Sequence, residues 1–235
     1  HEQCEGFTRY EQWDFAAMTA DDYPLLLHFS YFDLYRKQVI KQADLVLALI
    51  LCGDSFTAEE KARDFNYYER LTVRDSSLSA SMQAVVAAEV GHLDLAFDYF
   101  GEAALMDLDD LEHNTRDGLH IASLAGCWTA AVVGFGGFRD HGGEFSFWPR
   151  LPPHIDRLAF RLMPRGRRLR VVITRDAARY ELLDGEAIEL HHEDTTFTLE
   201  PGSPQSYPWT APRTGPAPEP PPLRAPAHRR PRGER

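Results

Sequence analysis

The chain is poor in cysteine, lacks any long apolar run and has no excess of basic charge. Its three cysteines, Cys4, Cys52 and Cys127, are widely spaced and form no CxxC pair. An odd, sparse set argues against a disulfide framework and fits reduced thiols in the cytoplasm. No stretch reaches the roughly 18 consecutive apolar residues of a membrane-spanning helix. The opening residues do not read as a secretory signal. Formal net charge is -11, which argues against a general nucleic-acid binder, since such proteins carry a basic footprint. The imbalance is uneven: residues 201–235 hold six Arg and two Glu, so the acidic excess belongs to the preceding 200 residues. An initiating Met is also missing. "HEQCEGFTRYEQWDF" reads as the middle of something, and a fragment of a longer protein is expected.

What is present suffices for a sizeable core. With 235 residues, 43% of them hydrophobic, the chain can form one large domain or two small ones. To about residue 140 the pattern is helical. "LHFSYFDLYRKQVIKQADLVLALILCG" is densely apolar and stops at Gly53. Thr57 and Glu60 form a capping box ahead of Phe65, Tyr68 and Leu71 at helical spacing. Ala80–Val90 is a third helix, stopped by Gly91. Leu93–Leu108 is a fourth, with Leu95, Tyr99 and Leu105 for its buried stripe. "DGLHIASLAGCWTAAVVGFGG" is a fifth, whose Ala122, Ser123, Ala125 and Gly126 admit a close neighbour. Alternation then predicts strands near 144–148, 157–163, 167–174, 178–183 and 186–190, with Gly166 and Asp184-Gly185 as turns and Asp-Gly as a hairpin cue. After Gly202 the chain is proline-rich and predicts a disordered or extended tail.

Five motifs follow one another: "RKQVIKQADLVLAL", "YYERLTVRDSSLSAS", "GHLDLAFDYF", "LDLDDLEHNTRDGLHIASLAG" and "FSFWPRLP". Together they closely resemble the C-terminal half of glycoside hydrolase family 65, over about residues 1–200. The resemblance implies a mainly α fold with a β appendage. The second half of an (α/α)6 catalytic barrel would span 1–142, a small antiparallel β-sandwich 143–200 and a disordered Pro/Arg-rich tail 201–235. It implies an inverting disaccharide phosphorylase, which cleaves an α-glucosidic disaccharide with inorganic phosphate to β-glucose 1-phosphate and the other sugar. No organic cofactor or metal is implied; phosphate is the co-substrate. The expected partners are the disaccharide and phosphate, with no nucleic acid and no membrane. The full-length protein would be compatible with a homodimer.

The chemistry explains the residue types. An inverting glycosidase needs a carboxylic acid on one side of the bond and a carboxylate base on the other to activate water. Phosphate is already an anionic nucleophile, so a phosphorylase needs a dianion pocket instead, and helix N-termini supply one. By the family motif Ser76 and Ser77 would clamp phosphate at the start of a helix, and His120 would join them, adding charge when protonated. Lys41 and Gln42 would contact the glucose on the cleaved side. Read without the family, Ser76 and Ser77 are caps, His120 is a core histidine, and Lys41 with Lys37 is a solvated face. Arg74 is a plausible additional charge, and Ser79 is left to cap the helix. Phe7, Tyr10, Trp13 and Phe15 would stack on sugar or belong to the core. Asn114, Thr115 and Asp117 would brace the segment holding His120.

No catalytic residue is found. The family's general acid is a Glu upstream of the Lys-Gln pair, in a Gly-Pro-Asp-Glu-Tyr-like sequence that this chain does not contain. The expectation is a polypeptide that is silent by itself, with exposed apolar helix faces and poor solubility. Two other readings remain: the same part of a family 65 hydrolase (trehalase-like), which has no use for a phosphate clamp, or a non-catalytic carbohydrate-binding module.

Overall fold

The computed structural model describes residues 1–212 and 214–226. Its helices, in chain order, are α1 (Leu25–His28), α2 (Tyr31–Leu34), α3 (Asp44–Leu51), α4 (Ala58–Glu69), α5 (Ser79–Glu89), α6 (Leu93–Leu105) and α7 (Ile121–Thr129). The last runs on into a π-helical segment, Ala130–Phe135. Two short strands, β1 (Glu11–Gln12) and β2 (Lys37–Gln38), pair in parallel beside them. No helix among the described residues is long and apolar enough to cross a membrane.

The helices pack around α5. Ala84, Val85, Val86, Ala87 and Ala88 are wholly buried, and α3, α4, α6 and α7 all contact this helix. A helix apolar on every side belongs in the middle, and its alanines let neighbours approach. The capping box starts α4: Glu60 N donates to Thr57 Oγ1 at 3.2 Å, and Thr57 N to Glu60 Oε2 at 2.9 Å. Phe65 and Tyr68 then point into the core. Gly126 serves as the small-residue face of α7, since a Cβ there would lie 2.3 Å from Ser81 Oγ.

The long helix expected between about residues 27 and 52 does not form. In its place are α1, α2, β2 and the eight-residue α3. The reason is a distant backbone partner. Ile40 N donates to Leu71 O and Val73 N to Ile40 O, both at 2.8 Å, so the β-branched pair Val39-Ile40 is extended. Gln38 is buried there, donating to Thr8 O and Tyr10 O.

Beyond residue 137 lie two four-stranded sheets. One has the order β10-β7-β6-β5, from β5 (Arg157–Leu162), β6 (Arg168–Thr174), β7 (Ala178–Asp184) and β10 (Gln205–Tyr207). The other has the order β3-β4-β8-β9, from β3 (Phe138–Arg139), β4 (Ser146–Phe147), β8 (Ile188–His192) and β9 (Thr195–Leu199). Alternate residues of both sheets, among them Phe147, Val171, Tyr180, Leu190 and Leu199, form one apolar cluster. β4 pairs with β8 in parallel; the other pairings in these sheets are antiparallel. Asp184-Gly185 makes no hairpin, because β7 and β8 lie in different sheets and the turn carries the chain between them. The tight hairpin is instead at Glu193-Asp194, between β8 and β9, where Glu193 takes φ 48°.

The expectation of a disordered tail from 201 fails for much of its length. Gln205–Tyr207 adds an edge strand to β7, and Tyr207 and Trp209 pack on the sheet core. Those two aromatics supply the apolar area that the prolines lack. Residues 227–235 lie outside the described part.

Candidate functional site

Two close contacts set the direction of α7 against α5. Gly126 meets Ser81, and further along Gly134 meets Val85. Contact numbers rise together in both segments, so the two helices run parallel. Ala43 N, just before α3, donates to Ser79 Oγ at the start of α5 at 3.2 Å. The N-terminal ends of α3, α5 and α7 therefore gather at one end of the bundle. Directly ahead of them stand Lys41-Gln42, Ser76-Ser77 and His120. His120 lies six residues before the Gly126 contact, and Ser76 and Ser77 lie five and four before the matching Ser81.

Side-chain contacts join part of this set. Ser76 Oγ donates to Gln42 Oε1 at 2.8 Å, and Gln42 Nε2 donates to Asp44 Oδ1 at 2.9 Å. Leu78 N reaches Ser76 Oγ at 3.4 Å. Lys41 is exposed and acts electrostatically on Asp75. Ser77 is half-buried. His120 is held from the other side: Asp107 Oδ2 accepts from its backbone N at 2.9 Å, and Asp107 Oδ1 contacts Nδ1 at 2.6 Å. With Nδ1 engaged, Nε2 is the nitrogen left for a ligand, and it donates only when the ring is protonated. Among the described residues no hydrogen bond joins His120 to Ser76 or Ser77; they share a helix end, not a contact.

Three expectations are corrected here. Ser79 does not cap α5; its hydroxyl receives the Ala43 amide, and Leu78 occupies the cap position without a side-chain bond. Arg74 is no free charge for a ligand. It is 2% exposed, pairs with Glu102 at 3.1 Å and donates to Tyr99 OH at 3.2 Å. Burial opposes its charge, but Glu102, Tyr99 and Glu69 outweigh that and hold it protonated. The brace of His120 is Asp107, while Asp110 accepts from Thr115 N at 3.0 Å to hold the preceding turn. The early aromatics serve the core: Phe7 is buried in the helical cluster, and Trp13 packs with Leu25, Leu34 and Val73.

The sequence reading missed Arg224. The segment after residue 214 returns to the helices and sets the Arg224 guanidinium against the loop that precedes Ser76. Its Nη2 donates to Arg74 O at 3.1 Å and Asp75 Oδ1 at 3.3 Å, and its Nε bonds Val73 O. Asp75 Oδ2 in turn accepts from Leu25 N at 2.7 Å. Burial raises the Asp75 carboxyl above its ordinary value, with Arg224 working against the rise. An Arg set among prolines carries no local signal of such a role.

The sequence profile of the glycosyl hydrolase family 65 central catalytic domain matches residues 1–129, and that of the family's C-terminal domain matches 138–199. The chain belongs to glycoside hydrolase family 65. A relative from Mycobacterium tuberculosis, described as an uncharacterized glycosyl hydrolase, is 55% identical over 98% of the chain and 29% of its own length. An alpha,alpha-trehalose phosphorylase of Thermoanaerobacter brockii is 40% identical over 85% of the chain and 26% of its own length. A solved structure described provisionally as a kojibiose phosphorylase from the human microbiome superposes with a TM-score of 0.81 at 26% identity, covering 88% of this chain and 28% of that one. This family 65 chain thus spans less than a third of the length of these relatives. Arg224 lies beyond the family's C-terminal profile, yet a match over 98% of the chain takes it in.

Proposed function

We propose that this family 65 chain carries the phosphate- and glucose-binding end of an inverting disaccharide phosphorylase. In this reading the helices are the second half of an (α/α)6 barrel and the two sheets its C-terminal β-sandwich. The observation that carries it is the gathering of three helix N-termini, each preceded by candidate ligands. Helix N-termini present free N–H groups and the positive end of the dipole, the arrangement a phosphate dianion needs. Ser77 would donate to phosphate, as would Ser76 once its single O–H turns from Gln42, and His120, oriented by Asp107, would add a donor and charge. Lys41 and Gln42 would take the glucose hydroxyls. An α-glucosidic disaccharide and phosphate would give β-glucose 1-phosphate and the released sugar, without metal or organic cofactor, in the cytoplasm.

The proton donor is proposed to come from outside these residues. Three carboxylates beside the clamp are already engaged: Asp44 by Gln42, Asp75 by Leu25 N and Arg224, Asp107 by His120. The outer stripe of α7 supports a larger assembly. Ile121, Leu124 and Trp128 are 66, 40 and 54% exposed, at the spacing of a helix face that packs against another helix.

A chimera tests the reading. This chain replaces the corresponding part of the Thermoanaerobacter brockii trehalose phosphorylase, and sugar release is measured with and without phosphate. The expected result is turnover that requires phosphate and falls at least about tenfold with Ser76→Ala plus Ser77→Ala. Equal turnover without phosphate would show a hydrolase and sink the proposal.

A further inference from the structure

The opposite end of the same helices holds a second cluster of charge. A cavity of about 320 Å³ lies between the helices and the first strands, lined by Lys61, Glu89, Arg139, His141, Trp148 and Arg150. Two cations share one carboxylate there. Glu89 accepts from Lys61 Nζ at 2.6 Å and from Arg139 Nη2 at 2.8 Å, and Arg139 Nη1 is further satisfied by Val133 O and Phe138 O.

Arg150 is different. Among the described residues its guanidinium has no ion pair, and its side-chain hydrogen bond runs to Trp148 O at 3.3 Å. Four of its five N–H donors are left for something else. Burial pushes its pKa down, with Glu89 and Glu193 countering at longer range and Arg139 adding to the fall. Arg150 is half-buried, and its free donors make it a ready partner for an anion. Gly53 keeps the space open: a Cβ on it would lie 3.1 Å from His141 Nε2 and 3.2 Å from Lys61 Nζ. Gly53 is not in the left-handed region, so an alanine there would act through crowding of His141 and Lys61 rather than through backbone strain.

We propose that this cavity binds a phosphate group, either free or borne on a small sugar, at a site separate from the Ser76-Ser77 end. Arg150 presents a planar fork to a tetrahedral oxyanion, and Lys61 and Arg139 add positive charge beside it. Trp148, 38% exposed at the wall, offers an apolar face for a sugar ring. The volume is at the small end of ligand sites and suits a hexose phosphate.

His141 is the local reporter. Its ring NMR signals are followed as inorganic phosphate or glucose 6-phosphate is added to the whole chain, to Arg150→Met, to Gly53→Ala and to the Ser76→Ala, Ser77→Ala double variant. Saturable shifts are expected below about 10 mM, weakened about tenfold or more by Arg150→Met and by Gly53→Ala, and unchanged in the serine variant. Tighter binding of the sugar phosphate assigns the sugar subsite; equal binding assigns free phosphate. No shift up to about 10 mM, or shifts that survive both pocket variants, would overturn the proposal. Gly53→Ala retains every charge, so loss of fold in Arg150→Met does not blunt the test.

Discussion

At Glu89 one carboxylate ties the helices to the sheets. Burial alone would raise its pKa, but Arg139 and then Lys61 outweigh burial and hold it below the ordinary value. A depressed folded pKa means stability that is complete above the unfolded value near 4.5 and is lost as pH falls through the folded one. Chemical denaturation followed between about pH 6 and pH 3 should therefore show a falling limb, and Glu89→Gln should flatten part of it. The same variant should cost about 3 kcal/mol at neutral pH, because it leaves buried Lys61 and half-buried Arg139 with half a partner. An equally steep acid limb in Glu89→Gln would show that this carboxylate is not the one titrating. Single residues of the candidate site were legible in the sequence only through family motifs. Ser76, Gln42 and His120 stand ahead of helices as that reading requires, yet Asp107, thirteen residues from His120, has no local pattern to mark it. Arg74 looked available beside the serines, and the buried partners that consume it lie on α4 and α6.

The C-terminal segment shows what an element without regular structure can do. Arg224 holds the carbonyls of Val73 and Arg74 and the Asp75 carboxylate, and Asp75 passes the restraint to the first turn of α1. Arg74 is kept at φ 55° within this loop, a left-handed conformation that needs support from its surroundings. Replacing Arg224 with Met should speed hydrogen exchange of the Leu25 amide by about tenfold, since charge-assisted bonds of this kind are worth roughly 1.5–3 kcal/mol. Unchanged exchange would mean the segment merely lies on the surface. The helices that the sequence marked clearly, α4, α5 and α6, have their stop and start signals close by, in the Thr57-Glu60 box and Gly91. The region before α3 was not legible, because the partner that extends Ile40 is Leu71–Val73, more than thirty residues away. β10 was missed for a related reason, since its three residues depend on β7 rather than on their own alternation; β9 was missed although Phe197 and Leu199 alternate with exposed threonines.

For the molecule as a whole, polarity along the bundle organises the account. α5 and α7 run in one direction, with α3 starting beside α5. The proposed phosphate clamp lies at the N-terminal end and the cationic cavity at the other, some 16 Å apart along an eleven-residue helix at about 1.5 Å per residue. The exposed stripe on α7 and the fraction of each relative that the chain spans both fit a part of a larger catalytic unit. The most direct test of the central claim is phosphate titration of the whole chain with His120 ring signals as the readout. The account predicts a saturable shift of His120 that weakens at least about tenfold in the Ser76→Ala, Ser77→Ala variant. A His120 ring indifferent to phosphate in the folded chain, or one that responds equally after both serines are removed, would contradict it.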